Sequence, residues 1–222
     1  ASIKKLVFTS RVIRLYSAAA IVIAVFLILA LSNEIPLNSI FLIVLLFLFV
    51  FTPITTLIAY YLTKPIELAF SKYYINDAKK KLHGNKNVKV IGVTGSFGKT
   101  GTKFILARIL SEKYNVLATP QSFNTPMGVV RTIREKLRAQ TEIFICEMGA
   151  KNIGDIKEIC DIVTPDMGII TSVGAQHLET FKSVDNVFNT KFELYDAVLE
   201  KGGNCFVNLA SEGINERLGE RT

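Results

Sequence analysis

Apolar residues fill most of the first sixty positions, and beyond them apolar and polar positions alternate in short blocks. Leu15 to Leu31 (LYSAAAIVIAVFLILAL) carries no charge, and neither does Ile40 to Leu62 (IFLIVLLFLFVFTPITTLIAYYL). A membrane-crossing helix needs about 20 apolar residues for a core of about 30 Å, so these runs predict a transmembrane hairpin over residues 1–63. The alternatives are two buried core helices or, for the first run, a signal peptide, although no small-residue cleavage site follows Leu31. Lys64 to His83 (KPIELAFSKYYINDAKKKLH) mixes apolar and charged residues at helical spacing. That predicts an amphipathic juxtamembrane linker over 64–87, lying on a membrane surface or docking on a globular part; an ordinary connecting helix has the same pattern. Gly84-Asn85-Lys86-Asn87 breaks it.

From Val88 onward the period changes. Val88–Val93, Asn115–Thr119, Glu142–Met148, Met167–Thr171 and Asn204–Leu209 read as short strands. Helical spacing covers Thr100–Lys113, Pro126–Arg138, Asn152–Ile162 and Val184–Glu200, with Thr125 and Asp185 as caps. Strands alternating with helices predict an α/β domain over 88–222, a mostly parallel sheet of the P-loop type with helices on both faces. Ligands of such sheets collect at the carboxyl ends of the strands.

Charge adds an orientation. Residues 1–87 hold ten Lys/Arg against three acids, which is the whole net charge of +7, and the remainder is neutral. Around a membrane hairpin this collar predicts both ends inside and Ser32–Ser39 outside, a two-pass inner (cytoplasmic) membrane protein with its catalytic domain in the cytoplasm. A neutral globular part also argues against a nucleic-acid partner. Cys146, Cys160 and Cys205 form no CxxC pair, which fits a reducing compartment and no structural zinc site.

The chemistry concentrates in Val88–Phe104, VKVIGVTGSFGKTGTKF. A strand, a glycine turn and Lys-Thr opening a helix form a phosphate-holding loop, Thr94-Gly95-Ser96-Phe97-Gly98-Lys99-Thr100-Gly101. Gly95 and Gly98 let backbone N–H groups approach phosphate, Lys99 brings a cation to the β/γ-phosphates of ATP, and the Thr100 hydroxyl is placed for Mg²⁺. The strict motif asks for glycine at position 93, where this chain has Val93, with Gly92 beside it. Glu147 ends an apolar strand at the same end of the sheet, where an acid can hold Mg²⁺ directly or through water; a solvated strand-end glutamate is the alternative. His177 follows the next strand by one short loop, and Lys191 lies on a helix where lysines usually face water.

Together these segments resemble the ATP-dependent Mur ligases, which build the peptide stem of peptidoglycan. The resemblance runs through VTGSFGKT, TPQSFNTPMGV, EMGA, IITSVGAQHLE, TKFEL and FVN. Its EMGA and FNTxxGV variants are most similar to members that add D-alanyl-D-alanine to UDP-N-acetylmuramoyl-tripeptide. The resemblance implies that Lys99 binds the transferred phosphate, that Thr100 and Glu147 hold a first Mg²⁺, and that His177 serves a second. It implies that Lys191 matches a lysine carbamylated in some members, and Asn208 an asparagine near the adenine. It implies a cell-wall precursor and an amino acid or dipeptide as partners, joined through an acyl phosphate.

The chain departs from the family pattern at Gly101, where threonine is common, and at Phe97, where a small or polar residue is usual. The family's N-terminal sugar-nucleotide domain and its closing C-terminal domain have no counterpart here, so a truncated sequence is expected. Competing functions are a membrane-anchored P-loop kinase or transport ATPase, for which a Walker B aspartate is expected in place of Glu147, and a non-catalytic scaffold that keeps the fold. The form of the family that works with a glutamine amidotransferase carries a four-cysteine zinc insert, which this chain lacks.

Overall fold

The computed structural model describes residues 10–31, 37–121, 123–174, 181, 183–211 and 214–219. The chain divides into two compact units, residues 1–72 and 73–222. Helix α1 (Ser10–Leu31) and most of α2 (Leu37–Gly84) belong to the first. Within it Arg14 pairs with Glu67 at 3.6 Å and lies 5.8 Å from the centre of the Phe70 ring.

The membrane reading is overturned here. Among the described residues no helix is long and apolar enough to cross a membrane. Helix α2 is one element from Leu37 to Gly84, so the apolar run and the charged segment expected as a separate juxtamembrane linker share a single helix. The two transmembrane helices, the two-pass inner-membrane location with its cytoplasmic catalytic domain, and the membrane as a partner all fall with it. Of the Ser32–Ser39 link expected outside, residues 32–36 lie outside the described residues.

The second unit is built on five parallel strands: β1 (Lys89–Thr94), β2 (Val116–Ala118), β3 (Ile143–Glu147), β4 (Met167–Ile170) and β5 (Asn204–Val207), in the order β2-β3-β1-β4-β5. Helices α3 (Lys99–Leu110), α4 (Pro126–Lys136), α5 (Asp155–Val163), α6 (Val184–Glu200) and the short α7 (Ile214–Gly219) complete it. Strands covered on both faces read as unbroken apolar runs, because each parity needs its own core. In β3, Phe144 and Cys146 face a core shared with α4, α5, α6 and the last turns of α2 (Ala78, Leu82). Ile143 and Ile145 face the other way, onto Leu106, Ala107 and Leu110 of α3. Full burial of an Ile or Phe contributes roughly 1.5–3 kcal/mol.

The α2 end is also fixed by polar contacts. Arg134 of α4 donates to Asp77 at 2.7 Å and its guanidinium lies 4.2 Å from the Tyr74 ring centre. Helix α4 starts where expected, with the Thr125 hydroxyl accepting from Gly128 N at 3.3 Å. Helix α6 is capped by Ser183, which accepts from Asn186 N at 3.1 Å, whereas the expected cap Asp185 lies in the first turn. Ser183 takes the extended backbone a cap needs (φ −149°, ψ 157°), so its hydroxyl reaches the free N–H first.

The connections place the site. The link from β1 passes to β2 on one side of the sheet, and the link from β3 passes to β4 on the other. The crevice between the carboxyl ends of β1 and β3 is therefore the topological switch point, where such sheets bind ligands.

Candidate active site

Gly95 and Gly98 carry the turn after β1, with φ of +148° and +81°, backbone that L side chains rarely adopt. Gly98 is also the N-cap of α3 and makes no side-chain cap bond, so no cap side chain occupies the first N–H groups of that helix. The loop is braced from β4. Ser96 N donates to Ser172 O at 2.7 Å, Phe97 N donates to Ser172 Oγ at 3.0 Å, and Thr171 Oγ1 donates to Phe97 O at 2.6 Å. Ser96 Oγ bonds Gly174 O at 3.0 Å. The two departures from the family pattern fit this frame. The Phe97 backbone is held while its ring is exposed, and a Cβ at Gly101 would meet nothing within 4 Å.

Strand parity brings the acid to the loop. Glu147 follows Ile143 and Ile145 on the face that packs on α3, so its carboxylate meets the first turns of that helix. Thr100 Oγ1 donates to Glu147 Oε1 at 3.2 Å, and Asn124 Nδ2 donates to the same oxygen at 3.1 Å. Lys103 Nζ lies 2.8 Å from Glu147 Oε2, a charge contact between side chains that are 0% and 1% exposed. Lys103 also donates to Gln121 O at 2.5 Å. Glu147 N in turn donates to Thr119 Oγ1 at 3.0 Å. Further partners offset part of the cost of burying this pair: Gln121 O for Lys103, and Thr100 and Asn124 for Glu147 Oε1, whereas Oε2 makes no hydrogen bond.

Lys99 donates to Gly95 O at 2.6 Å and Ser96 O at 3.1 Å. Burial pushes its amine below the ordinary lysine value, against an upward pull from Glu147. Lys191, 2% exposed on α6, is pushed down to about 8, first by burial and then by the Lys99 charge. Both lysines line a cavity of about 370 Å³ together with Asn124, Thr125, Lys151 and Asp155. Two residues beyond Lys191, Glu193 accepts from Gly154 N at 2.7 Å and Lys157 N at 2.8 Å, which fixes α6 against the start of α5.

The structure thus brings Lys99, Thr100, Glu147 and Lys191 together. Thr94 spends its hydroxyl on Met148 O at 3.0 Å, joining the ends of β1 and β3. Asn208 lies past β5, donating to Thr171 O at 2.9 Å and accepting from Ala210 N at 3.1 Å. His177 lies outside the described residues. Among the described residues no three His, Cys, Asp or Glu side chains gather as a metal cage. A hydroxyl and one carboxylate at a phosphate loop do suit Mg²⁺, which keeps several waters and takes one or two carboxylates plus substrate phosphates.

Sequence reasoning missed Lys103, Asn124 and the Thr171–Ser172 brace. Lys103 was marked by its spacing: four residues after Lys99 it returns to the same face of α3, among residues that pack on the sheet.

A parallel sheet with a glycine loop at its switch point and an acid on the neighbouring strand has the architecture of a P-loop domain. Residues 93–221 match the Mur ligase middle domain, and the chain belongs to the Mur ligase family. It is 39% identical over 113 residues to the UDP-N-acetylmuramoyl-tripeptide–D-alanyl-D-alanine ligase of Mycobacterium tuberculosis, covering 51% of this chain and 22% of that protein. The same ligase of Bacillus subtilis is 34% identical over 114 residues, covering 51% and 25%. Among solved structures, MurF ligase of Thermotoga maritima in complex with ADP matches with a TM-score of 0.62 and 32% identity, covering 68% of this chain and 34% of that one. MurF of Acinetobacter baumannii matches with 0.60 and 31% identity, covering 64% and 31%. The chain spans about a quarter of the length of these curated relatives.

Proposed function

We propose that this chain is the nucleotide-binding part of an ATP-dependent ligase that joins D-alanyl-D-alanine to UDP-N-acetylmuramoyl-tripeptide. The observation that carries the reading is the meeting of Lys99, Thr100 and Glu147 at the switch point of a Mur ligase middle domain. The substrate pair comes from the relatives' names and is the finer part of the proposal.

In this reading a substrate carboxylate attacks the γ-phosphate of ATP to give an acyl phosphate, and the incoming amine displaces phosphate to make the amide. Lys99 turns from the loop carbonyls to the phosphates, and the N–H groups at the start of α3 face the same charge. Thr100 and Glu147 would hold Mg²⁺, which would supply neutralisation of phosphate charge. His177 would serve a second Mg²⁺, and Asn208 the adenine side. A lysine pushed down to about 8 has the free amine that reaction with CO₂ requires, losing a proton as the carbamate forms, so burial favours carbamylation at Lys191.

The test is phosphate release from ATP by the complete gene product, with and without the tripeptide precursor and D-alanyl-D-alanine. Release that needs both is expected. Release that ignores both would replace the ligase with a P-loop ATPase, and release driven by another acceptor would overturn the substrate pair.

A further inference from the structure

We infer that Lys103 sets which divalent ion the site accepts, by keeping one oxygen of Glu147 in a buried charge contact and turning only the other toward the loop. The inference rests on the Mg²⁺–nucleotide reading above and extends it to a residue outside the phosphate loop.

Lys103 occupies the second turn of α3, fully buried, with Nζ 2.8 Å from Glu147 Oε2. Its direction is over-determined. The Gln121 carbonyl takes the same ammonium at 2.5 Å, and Gln121 holds a φ of +42°, uncommon for a residue with a side chain. The Phe104 ring centre lies 4.5 Å from the ammonium. The other carboxylate oxygen is the one turned to the loop, where it meets Thr100 and Asn124. Asn124 is itself fixed, its carbonyl accepting from Gly149 N at 2.8 Å. The carboxylate is therefore held from two sides: Oε2 faces inward in charge contact with Lys103, without a hydrogen bond, and Oε1 is turned to the Thr100 hydroxyl and the Asn124 amide.

A carboxylate held this way offers one oxygen. Mg²⁺ demands a near-octahedral shell of single oxygens, whereas Ca²⁺ accepts six to eight and often takes both oxygens of a carboxylate. The Lys103 grip removes the two-oxygen mode that Ca²⁺ would use. Lys103 is then a positioning residue: it acts on the ion through Glu147. An ion pair that only stabilised the fold would weaken binding with either ion by the same factor.

The experiment is calorimetric binding of a non-hydrolysable ATP analogue to the full chain in Mg²⁺ or Ca²⁺, for the unmodified protein and Lys103→Met. The unmodified chain is expected to bind more tightly with Mg²⁺. Removal of a partner that orients a metal ligand typically costs 10–100-fold in metal affinity, so Lys103→Met should narrow the Mg²⁺ preference by about tenfold or more. Equal losses with both ions would overturn the inference while leaving the nucleotide reading intact. If Lys103→Met does not fold, the unmodified chain decides alone, because equal affinity with the two ions also overturns the inference. Absence of binding with either ion would overturn the nucleotide reading and this inference together.

Discussion

Lys103 and Glu147 face each other across 2.8 Å at the junction of α3 and β3, with neither side chain more than 1% exposed. Removal of one partner leaves the other as an uncompensated buried charge. Glu147→Gln is therefore expected to lose about 3–5 kcal/mol of stability, the usual cost of breaking a buried pair. Adding Lys103→Met to that variant should recover part of the loss, since no charge then remains. Urea denaturation of both variants checks this, and a double variant weaker than Glu147→Gln would contradict it.

A Cβ on Gly95 would stand 2.1 Å from Thr171 Oγ1 and 3.0 Å from the Ser172 backbone, at a φ of +148°. Gly95→Ala must displace the brace as well as strain the turn, and strain of that kind costs about 1–3 kcal/mol. Gly98→Ala meets nothing closer than 3.8 Å, and only its φ of +81° opposes the change. Gly95→Ala is thus expected to lower the melting temperature further than Gly98→Ala, as thermal unfolding followed by circular dichroism would show.

Lys191 adds a pH dependence whose sign follows from burial. Its folded value of about 8 lies below the ordinary 10.5, so between those pH values the unfolded chain binds more protons than the folded one. Stability from this group is least below pH 8 and rises as pH climbs toward 10.5. Lys191→Met should remove that rise, which denaturation at several pH values across the window measures.

Lys99→Ala removes the cation that, under the proposed function, turns from the loop carbonyls to the phosphates. A hydrogen bond to a charged group contributes about 1.5–3 kcal/mol, so nucleotide affinity should fall roughly ten- to a hundredfold. Calorimetry reads the change, and an unchanged affinity would remove Lys99 from the site.

The second unit was legible because each β-run there is apolar on both parities and each helix is not. The strand expected at Glu142–Met148 is Ile143–Glu147, and the cap expected at Thr125 is present. The closeness of Lys99, Thr100 and Glu147 was legible because motif and strand end are local signals. Lys103 was not, because its partners Glu147 and Gln121 lie 44 and 18 residues away and only the folded register brings them together. Ser183 was passed over for Asp185, since the choice of cap depends on backbone angles rather than residue type. In the first unit the two uncharged runs lie on helices that do not qualify as membrane spans among the described residues, and composition alone does not reveal that the second run shares one helix with the charged segment after it.

The bonds from Ser96, Phe97 and Thr171 that brace the phosphate loop join residues 74 to 78 positions apart. Local sequence therefore does not shape the loop by itself. Until β4 has docked beside β1, Phe97 O lacks the Thr171 hydroxyl and the Ser96 N–H lacks its carbonyl. Such long-range closures come late, because their loop entropy must be overcome before the contacts form. The glycine loop consequently reaches its final shape only once residues as far as Gly174 have found their place.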